Sequence, residues 1–153
     1  MQERLGKNGE VFKIYKFRTM VENAESKGSG IYTSKGDPRI TKLGHFLRKT
    51  SLDELPQLLN VIKGDMSLVG PRPPVPYHPY EYKEYSVQQR KRFKVKPGIT
   101  GFAQVSGRNK LSWDERIEYD VEYVENYSLF LDFKILFMTF AKLFKKEEIY
   151  RGD

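Results

Sequence analysis

Apolar residues recur at helical spacing near the end of the chain. In residues 112–128 they form a line of Trp113, Ile117, Val121 and Val124, and Ser112 and Glu115 fit the capping-box pattern at the start. Residues 129–144 are apolar on nearly every face. The pattern predicts an acidic amphipathic helix, followed by a second helix that lies in the core or on a lipid surface.

The middle of the chain shows two more helical patterns. Residues 41–50 predict a short helix with Leu43, Phe46 and Leu47 on one side. A further helix follows and ends at residues 63–65, where Gly64 supplies a stop signal. Its predicted buried stripe consists of Leu55, Leu58, Leu59 and Ile62.

The start of that further helix is open to two interpretations. Ser51 and Glu54 fit a capping box, but Pro56 would then remove a backbone hydrogen bond inside the helix. With Asp53 as the cap, Pro56 falls in the first turn, where proline is tolerated. We favour Asp53 as the cap, or a kinked start.

The remaining segments predict a small β component. Residues 6–10 form a turn, residues 11–20 a strand and residues 21–40 a polar loop. Five of the eight prolines fall in residues 67–80, which must be extended. Residues 80–96 predict a tyrosine-rich basic helix, and residues 96–109 a short strand with Phe102 and Val105 between two turns. The predicted fold class is α+β: one helix-dominated domain over residues 1–153, with a small β-sheet or hairpin and amphipathic membrane-surface helices.

Composition narrows the partners. The net charge is +7, concentrated in the first two thirds of the chain, which suggests an anionic partner: nucleic acid, an anionic membrane surface or a phosphorylated substrate. The chain has no cysteine and two histidines, so thiolate and His-rich metal sites are excluded. We find no signal peptide and no apolar run of ~20 residues that would span a membrane.

Asp53 and Glu54 are the strongest candidates for chemistry. Acids at a helix start interact well with the helix dipole, which explains one acid better than two. Two carboxylates near Arg48 and Arg72 also suit Mg²⁺, which takes one or two carboxylates and shares substrate phosphates. A carboxylate can alternatively act as a nucleophile at phosphorus. The two residues by themselves leave a capping and a catalytic role open.

Three other residues are weaker candidates. Arg72 lies between Pro71 and Pro73, which restrict the backbone and favour phosphate binding; it could equally be an ordinary exposed arginine. Arg108 lies in a tight turn and is a second candidate for anion binding. Asp132 is an acid in an apolar helix, so it is either a surface residue or partnered by a metal or an arginine.

A nucleic-acid patch is the main alternative. Its residues would be the basic and aromatic side chains of one segment: Tyr85, Lys91, Arg92, Phe93, Lys94 and Lys96. Most such charge runs are solvated faces. This alternative assigns no role to Asp53 and Glu54.

Four segments together resemble the bacterial sugar transferase family, the monotopic polyprenyl-phosphate phosphoglycosyl transferases. They are FKIYKFRTM, TKLGHFLRKTSLDELPQLLNVIKGDMSLVGPRP, KPGITGFAQVSGRN and the DVEYVENYS…DFKIL block. The resemblance runs in order from about Gln2 to about Phe144.

The resemblance implies transfer of a sugar-1-phosphate from a UDP-sugar to undecaprenyl phosphate at the cytoplasmic face of the inner membrane. UMP is released, and surface glycan assembly begins. It implies Asp53 as the nucleophile and Glu54 as a residue that holds Mg²⁺ or assists the lipid phosphate. Arg48, Arg72 and Arg108 would bind phosphates or the nucleotide. Asp132 matches a family acid near the site and would be a metal ligand together with Asp53 and Glu54. No nucleic-acid partner is expected.

The chain departs from the family pattern at its start. Family members have an apolar re-entrant membrane helix before the QERLGKNGE segment, and this chain begins at that segment. We therefore expect a truncated or divergent form that folds but transfers poorly to lipid. An inactive scaffold with the same fold is a further alternative.

Overall fold

The described part of the chain contains five α-helices and four short strands, joined by loops and 3₁₀-helices. The computed structural model describes residues 1–26, 30, 33, 34, 36–107 and 110–144, without the side chains of residues 25, 143 and 144. The strands are β1 (Gln2–Leu5), β2 (Val11–Ile14), β3 (Ser67–Val69) and β4 (Gly98–Thr100). The helices are α1 (Lys42–Thr50), α2 (Leu58–Lys63), α3 (Phe102–Ser106), α4 (Trp113–Glu125) and α5 (Leu129–Phe144). The predicted α+β class is confirmed.

The strands form two separate pairs. β1 and β2 are antiparallel, with Leu5 opposite Val11 across the predicted turn, where Asn8 and Gly9 adopt positive φ angles. The predicted strand over residues 11–20 therefore ends at Ile14. β3 and β4 are parallel, and their backbones lie so close that a Cβ on Gly98 would be 2.1 Å from the nitrogen of Gly70. This pair fixes the direction in which the chain leaves β3.

Two apolar clusters hold these elements together. One contains Leu5, Tyr85, Phe93, Ile117 and Val121, and joins β1 to α4. The other contains Val69, Val105, Tyr123 and Ile135, and joins β3 to α3, α4 and α5. The predicted apolar line of α4 is thus confirmed at Ile117, Val121 and Val124, the last of which packs against the second cluster. So is its capping box, because Ser112 and Glu115 each accept a hydrogen bond from the other's backbone N–H.

The predicted helix over residues 80–96 is wrong. The chain forms two short 3₁₀-helices there, Tyr82–Glu84 and Gln89–Phe93. The ring centroids of Tyr85 and Phe93 are 5.1 Å apart. Residues eight apart in a straight α-helix are separated by about 12 Å along the axis, so this core contact requires the chain to bend.

The predicted strand with Phe102 and Val105 is also wrong. The strand comes earlier, at β4, and both residues belong to α3, where they pack into the second cluster. A spacing of three residues places two side chains on one face of a helix, whereas a strand would place them on opposite faces.

The predicted buried stripe of α2 is inverted. Leu55, Leu58, Leu59 and Ile62 are 51%, 43%, 51% and 81% exposed. The buried residues are instead polar: Asp53, Gln57 and Asn60. Their spacing of four and three residues also defines one helical face, and Asn60 uses it to donate to the Lys13 carbonyl and accept from the Tyr15 N–H.

Both predicted caps of this helix are wrong. Ser51 has a φ of 57° and makes no capping hydrogen bond with its side chain. Residues Leu52–Gln57 form a 3₁₀-helix that contains Pro56, and α2 begins only at Leu58. A kinked start, the remaining interpretation, describes this geometry. Among the described residues, no helix is both long and apolar enough to cross a membrane.

Candidate active site

The turn after α1 positions the two acids. Ser51 ends α1 in the left-handed conformation, so the chain reverses into the 3₁₀-helix Leu52–Gln57, whose first turn carries Asp53 and Glu54. Asp53 is 3% exposed, and its backbone carbonyl accepts from the Phe17 N–H at 3.1 Å. The segment after β2 therefore lies directly against the acids.

Lys16, in that segment, contacts both acids. Its Nζ lies 2.8 Å from Asp53 Oδ2 and 3.6 Å from Glu54 Oε1. We did not predict Lys16 as a site residue, because it lies far from the acids in sequence. The available signal was a lysine inside the apolar FKIYKFRTM segment.

Arg72 lies on the other side of Glu54. Its Nη2 donates to Glu54 Oε1 at 2.6 Å, so the structure brings Arg72 to the acid pair. Burial opposes ionisation of Glu54, but the charge and hydrogen bonds of Arg72 and Lys16 outweigh it and lower the pKa of Glu54 to about 2. Glu54 is therefore ionised at neutral pH.

The other predicted site residues have different hydrogen-bond partners or lie outside the described residues. Arg48, on α1, donates to Thr19 Oγ1 at 2.9 Å and to Thr33 Oγ1 at 3.4 Å. Asp132, on α5, accepts from the Tyr123 hydroxyl at 2.7 Å. Arg108 lies outside the described residues. Lys16, rather than Arg48, is the cation that contacts Asp53 from the N-terminal side of the sequence.

The arrangement of the carboxylates shows which of them could hold the predicted Mg²⁺. In the described part of the chain, no three His, Asp or Glu side chains are grouped to hold a metal, so Asp132 is not gathered with Asp53 and Glu54. Two adjacent carboxylates nevertheless fit Mg²⁺, which completes its shell with water and substrate phosphate oxygens. Asp53 and Glu54 are the residues that would hold it.

The predicted nucleic-acid patch is not a continuous basic face. Arg92 is 2% exposed, and Lys91 forms an ion pair with Glu125 at 2.6 Å. Of the four cations in the predicted patch, one is therefore buried and another is paired with an acid. Both facts weaken the nucleic-acid-binding alternative.

Comparison with known proteins decides the family. The family model for bacterial sugar transferases matches residues 1–146. The chain belongs to the bacterial sugar transferase family. The resemblance noted in the sequence is thus confirmed.

Curated members of the family match over nearly the whole chain. The "uncharacterized sugar transferase EpsL" of Bacillus subtilis (strain 168) is 51% identical over 99% of this chain and 72% of its own length. The "undecaprenyl-phosphate galactose phosphotransferase" of Salmonella typhimurium is 44% identical over 97% of this chain. The "UDP-glucose:undecaprenyl-phosphate glucose-1-phosphate transferase" of Escherichia coli (strain K12) is 43% identical over 97%. This chain spans about a third of the latter two proteins.

Proposed function

We propose that this bacterial sugar transferase moves a sugar-1-phosphate from a UDP-sugar to undecaprenyl phosphate and releases UMP. The observation that carries the proposal is the buried Asp53 carboxylate, 2.8 Å from Lys16 and adjacent to the Glu54–Arg72 ion pair. The name of the Escherichia relative gives both a UDP-sugar and undecaprenyl phosphate, and the name of the Salmonella relative gives undecaprenyl phosphate and galactose. Cations beside a carboxylate suit attack on an anionic diphosphate, because they offset the repulsion between like charges.

In the first step, an Asp53 carboxylate oxygen attacks the sugar-linked phosphorus of the UDP-sugar. The bond from that phosphorus to the bridging oxygen breaks, and UMP leaves with the bridging oxygen. The phospho-sugar is then bonded to Asp53. Lys16 holds the Asp53 carboxylate in place through its 2.8 Å contact, and its charge stabilises the phosphate oxygens in the transition state.

In the second step, a phosphate oxygen of undecaprenyl phosphate attacks the same phosphorus. The bond to Asp53 breaks, the carboxylate is restored and undecaprenyl diphosphate-sugar leaves. Arg72, which is 46% exposed while bonded to Glu54, can bind an incoming phosphate without losing that bond. Mg²⁺, when held by Asp53 and Glu54, would neutralise charge on the diphosphate and the leaving UMP.

A membrane surface is the place where such an enzyme would meet its acceptor. Exposed apolar side chains lie on both sides of the acids in sequence: Leu43, Phe46, Leu55, Leu58, Leu59 and Ile62. Exposed apolar side chains that form one patch are a common sign of a membrane or protein partner. We place the protein at the cytoplasmic face of the inner membrane, where the product would begin assembly of a surface polysaccharide. A relative from Sinorhizobium fredii, 43% identical, is named "exopolysaccharide production protein ExoY".

The test is UMP release by the protein in membrane vesicles that contain undecaprenyl phosphate and Mg²⁺. UDP-glucose, UDP-galactose and UDP-N-acetylglucosamine are supplied in turn. We expect release with at least one sugar, its loss in Asp53→Asn, and a ³²P label on the wild-type protein after incubation with β-³²P-labelled donor alone. Asp65→Asn is the matched control, since Asp65 lies two residues beyond the C-terminal end of α2 and accepts a hydrogen bond from Asn60 Nδ2. Release that persists in a folded Asp53→Asn variant would rule out Asp53 as the nucleophile.

A further inference from the structure

The segment Pro71–Pro74 is held in place through its carbonyl groups. Prolines at three of its four positions have no backbone N–H, so carbonyl oxygens must supply most of its backbone hydrogen bonds. The Pro71 carbonyl accepts from the Gly98 N–H at 3.0 Å, and the Pro74 carbonyl accepts from the Leu5 N–H at 2.9 Å. Backbone groups of β4 and β1 thus fix both ends of the segment.

The middle carbonyl is fixed differently. The Arg72 carbonyl accepts from Arg92 Nη2 at 3.0 Å, which makes Arg92 a side-chain donor between two backbone donors. The same Nη2 donates to Asp120 Oδ2 on α4 at 2.6 Å. Arg92 and Asp120 are each 2% exposed, so the ion pair that joins the 3₁₀-helix Gln89–Phe93 to α4 is almost fully buried.

Stability alone does not explain this arginine. Within the described residues, Arg92 Nε and Nη1 are buried and have no hydrogen-bond partner. Unsatisfied buried donors lower stability, and a buried ion pair is often no more stable than apolar residues of similar volume. The Arg92 guanidinium also lies 6.0 Å from the Tyr85 ring centroid and 5.4 Å from the Phe93 ring centroid. Its hydrogen bond to the Arg72 carbonyl is the contact that leads to the acid pair, because the Arg72 side chain lies 2.6 Å from Glu54.

We propose that Arg92, oriented by Asp120, is a positioning residue that fixes the Arg72 carbonyl and so directs the Arg72 guanidinium at Glu54. The inference rests on the proposed function for its catalytic consequence, since Arg72 is there a phosphate-binding residue. The anchor itself is a statement about geometry that can be tested without turnover.

The variants must separate positioning from folding. Arg92→Met alone would leave Asp120 buried and unpaired, which is strongly destabilising. The double change Arg92→Met/Asp120→Leu removes both charges and keeps apolar volume, so it is the main variant. Arg92→Lys, which keeps the charge on a shorter side chain, is the second. Lys91→Met is the matched control, because Lys91 pairs with Glu125 across the same two elements at 2.6 Å.

The first readout is the pKa of Glu54, which is measured by ¹³C NMR of its carboxyl carbon. Thermal unfolding checks that each variant is folded. Arg72 and Lys16 together lower that pKa to about 2 in the wild type, against the effect of burial, so little titration is expected above about pH 3.5. In the main variant and in Arg92→Lys, we expect the midpoint to rise toward 4.5. Lys91→Met should titrate as the wild type does. An unchanged midpoint in either folded Arg92 variant would overturn the proposal.

The second readout is UMP release, arranged as a double-mutant cycle. The main variant should lower kcat/KM by about 100-fold, the loss that a misplacement of roughly 1 Å can cause. In an Arg72→Ala background the same change should cost less than about twofold, because the group that it positions is absent. Equal losses in both backgrounds would show a structural role only and contradict the proposal. If the wild type releases no UMP but the Glu54 midpoint moves as expected, the proposed function fails and the anchor stands.

Discussion

Lys16 joins the two acids into one charged cluster, and its contacts argue for a direct role in transfer. Among the residues that the structure describes, Lys16 is the cation that contacts Asp53. Its Nζ lies 2.8 Å from Asp53 Oδ2 and 3.6 Å from Glu54 Oε1. Without it, Asp53 would be a nearly buried carboxylate facing an anionic substrate. The loss of one preorganised charge at such a position typically lowers kcat by about 10²–10³-fold.

We therefore predict that Lys16→Met lowers the rate of UMP release by about 100-fold while the fold is retained. Lys13→Met is the control, because Lys13 is an exposed residue of β2. Its backbone carbonyl accepts a hydrogen bond from Asn60, and this contact does not need the lysine side chain. Steady-state kinetics of both variants check the prediction. A Lys16 variant with wild-type kcat would remove this residue from the mechanism.

The lowered pKa of Glu54 makes stability depend on pH in a defined direction. Its pKa in the folded protein is about 2, below the ordinary value of 4.5. The ionised form therefore stabilises the native state; this contribution is complete above about pH 4.5 and disappears as the pH falls through 2. The shift corresponds to at most about 3 kcal/mol.

We predict that acidification from pH 5 to pH 2 lowers the free energy of unfolding more in the wild type than in Glu54→Gln. Asp37, whose pKa the Arg39 side chain lowers to about 2 against burial, titrates in both proteins and cancels in the comparison. Urea unfolding at several pH values measures the difference. Parallel pH curves for the two proteins would show that the Arg72 and Lys16 contacts contribute nothing to stability.

At the scale of elements, the spacing of apolar residues predicted where helices lie better than it predicted which face of a helix is buried. It predicted α4 and α5, because apolar spacing and the Ser112 capping box are local signals. It inverted α2, because its polar face meets the backbone of residues 13–15, a partner that no local pattern reveals. Lys16 escaped prediction for the same reason: contacts distant in sequence decide both features. The Asp53–Glu54–Arg72 grouping was accessible because all three residues lie within one motif.

The inverted α2 gives opposite expectations for two neighbouring residues. Ile62 is 81% exposed, so Ile62→Gln should change the free energy of unfolding by less than about 0.5 kcal/mol. Asn60 is fully buried, and Asn60→Leu would leave the Tyr15 N–H and the Lys13 carbonyl without their partner. We predict a loss of about 2–4 kcal/mol. Urea unfolding measures the free energy of unfolding of both variants. A larger loss for Ile62→Gln than for Asn60→Leu would show that the apolar stripe is buried after all.

At the scale of the whole molecule, the distribution of apolar surface fits a protein that works against lipid. The 3₁₀-helix that carries the acids also carries Leu55, and α2 continues its exposed apolar side chains directly. On α5, Phe130, Phe133 and Phe137 are 81%, 70% and 74% exposed at helical spacing. These side chains are largely unburied within the described fold, so they are available to the membrane and the lipid acceptor of the proposed function.

This arrangement predicts that the two half-reactions separate. Leu59→Ser/Ile62→Ser should weaken sedimentation with anionic vesicles by about tenfold, because two exposed side chains lose roughly 1–2 kcal/mol of burial in lipid. The burst of UMP with UDP-sugar alone should stay unchanged, since Asp53 and the donor need no lipid for that step. Transfer to undecaprenyl phosphate should fall with vesicle binding. Val87→Ser is the control, because Val87 is 84% exposed outside these helices. A variant that loses the burst and the transfer equally would show that this surface serves the site itself rather than access to the acceptor.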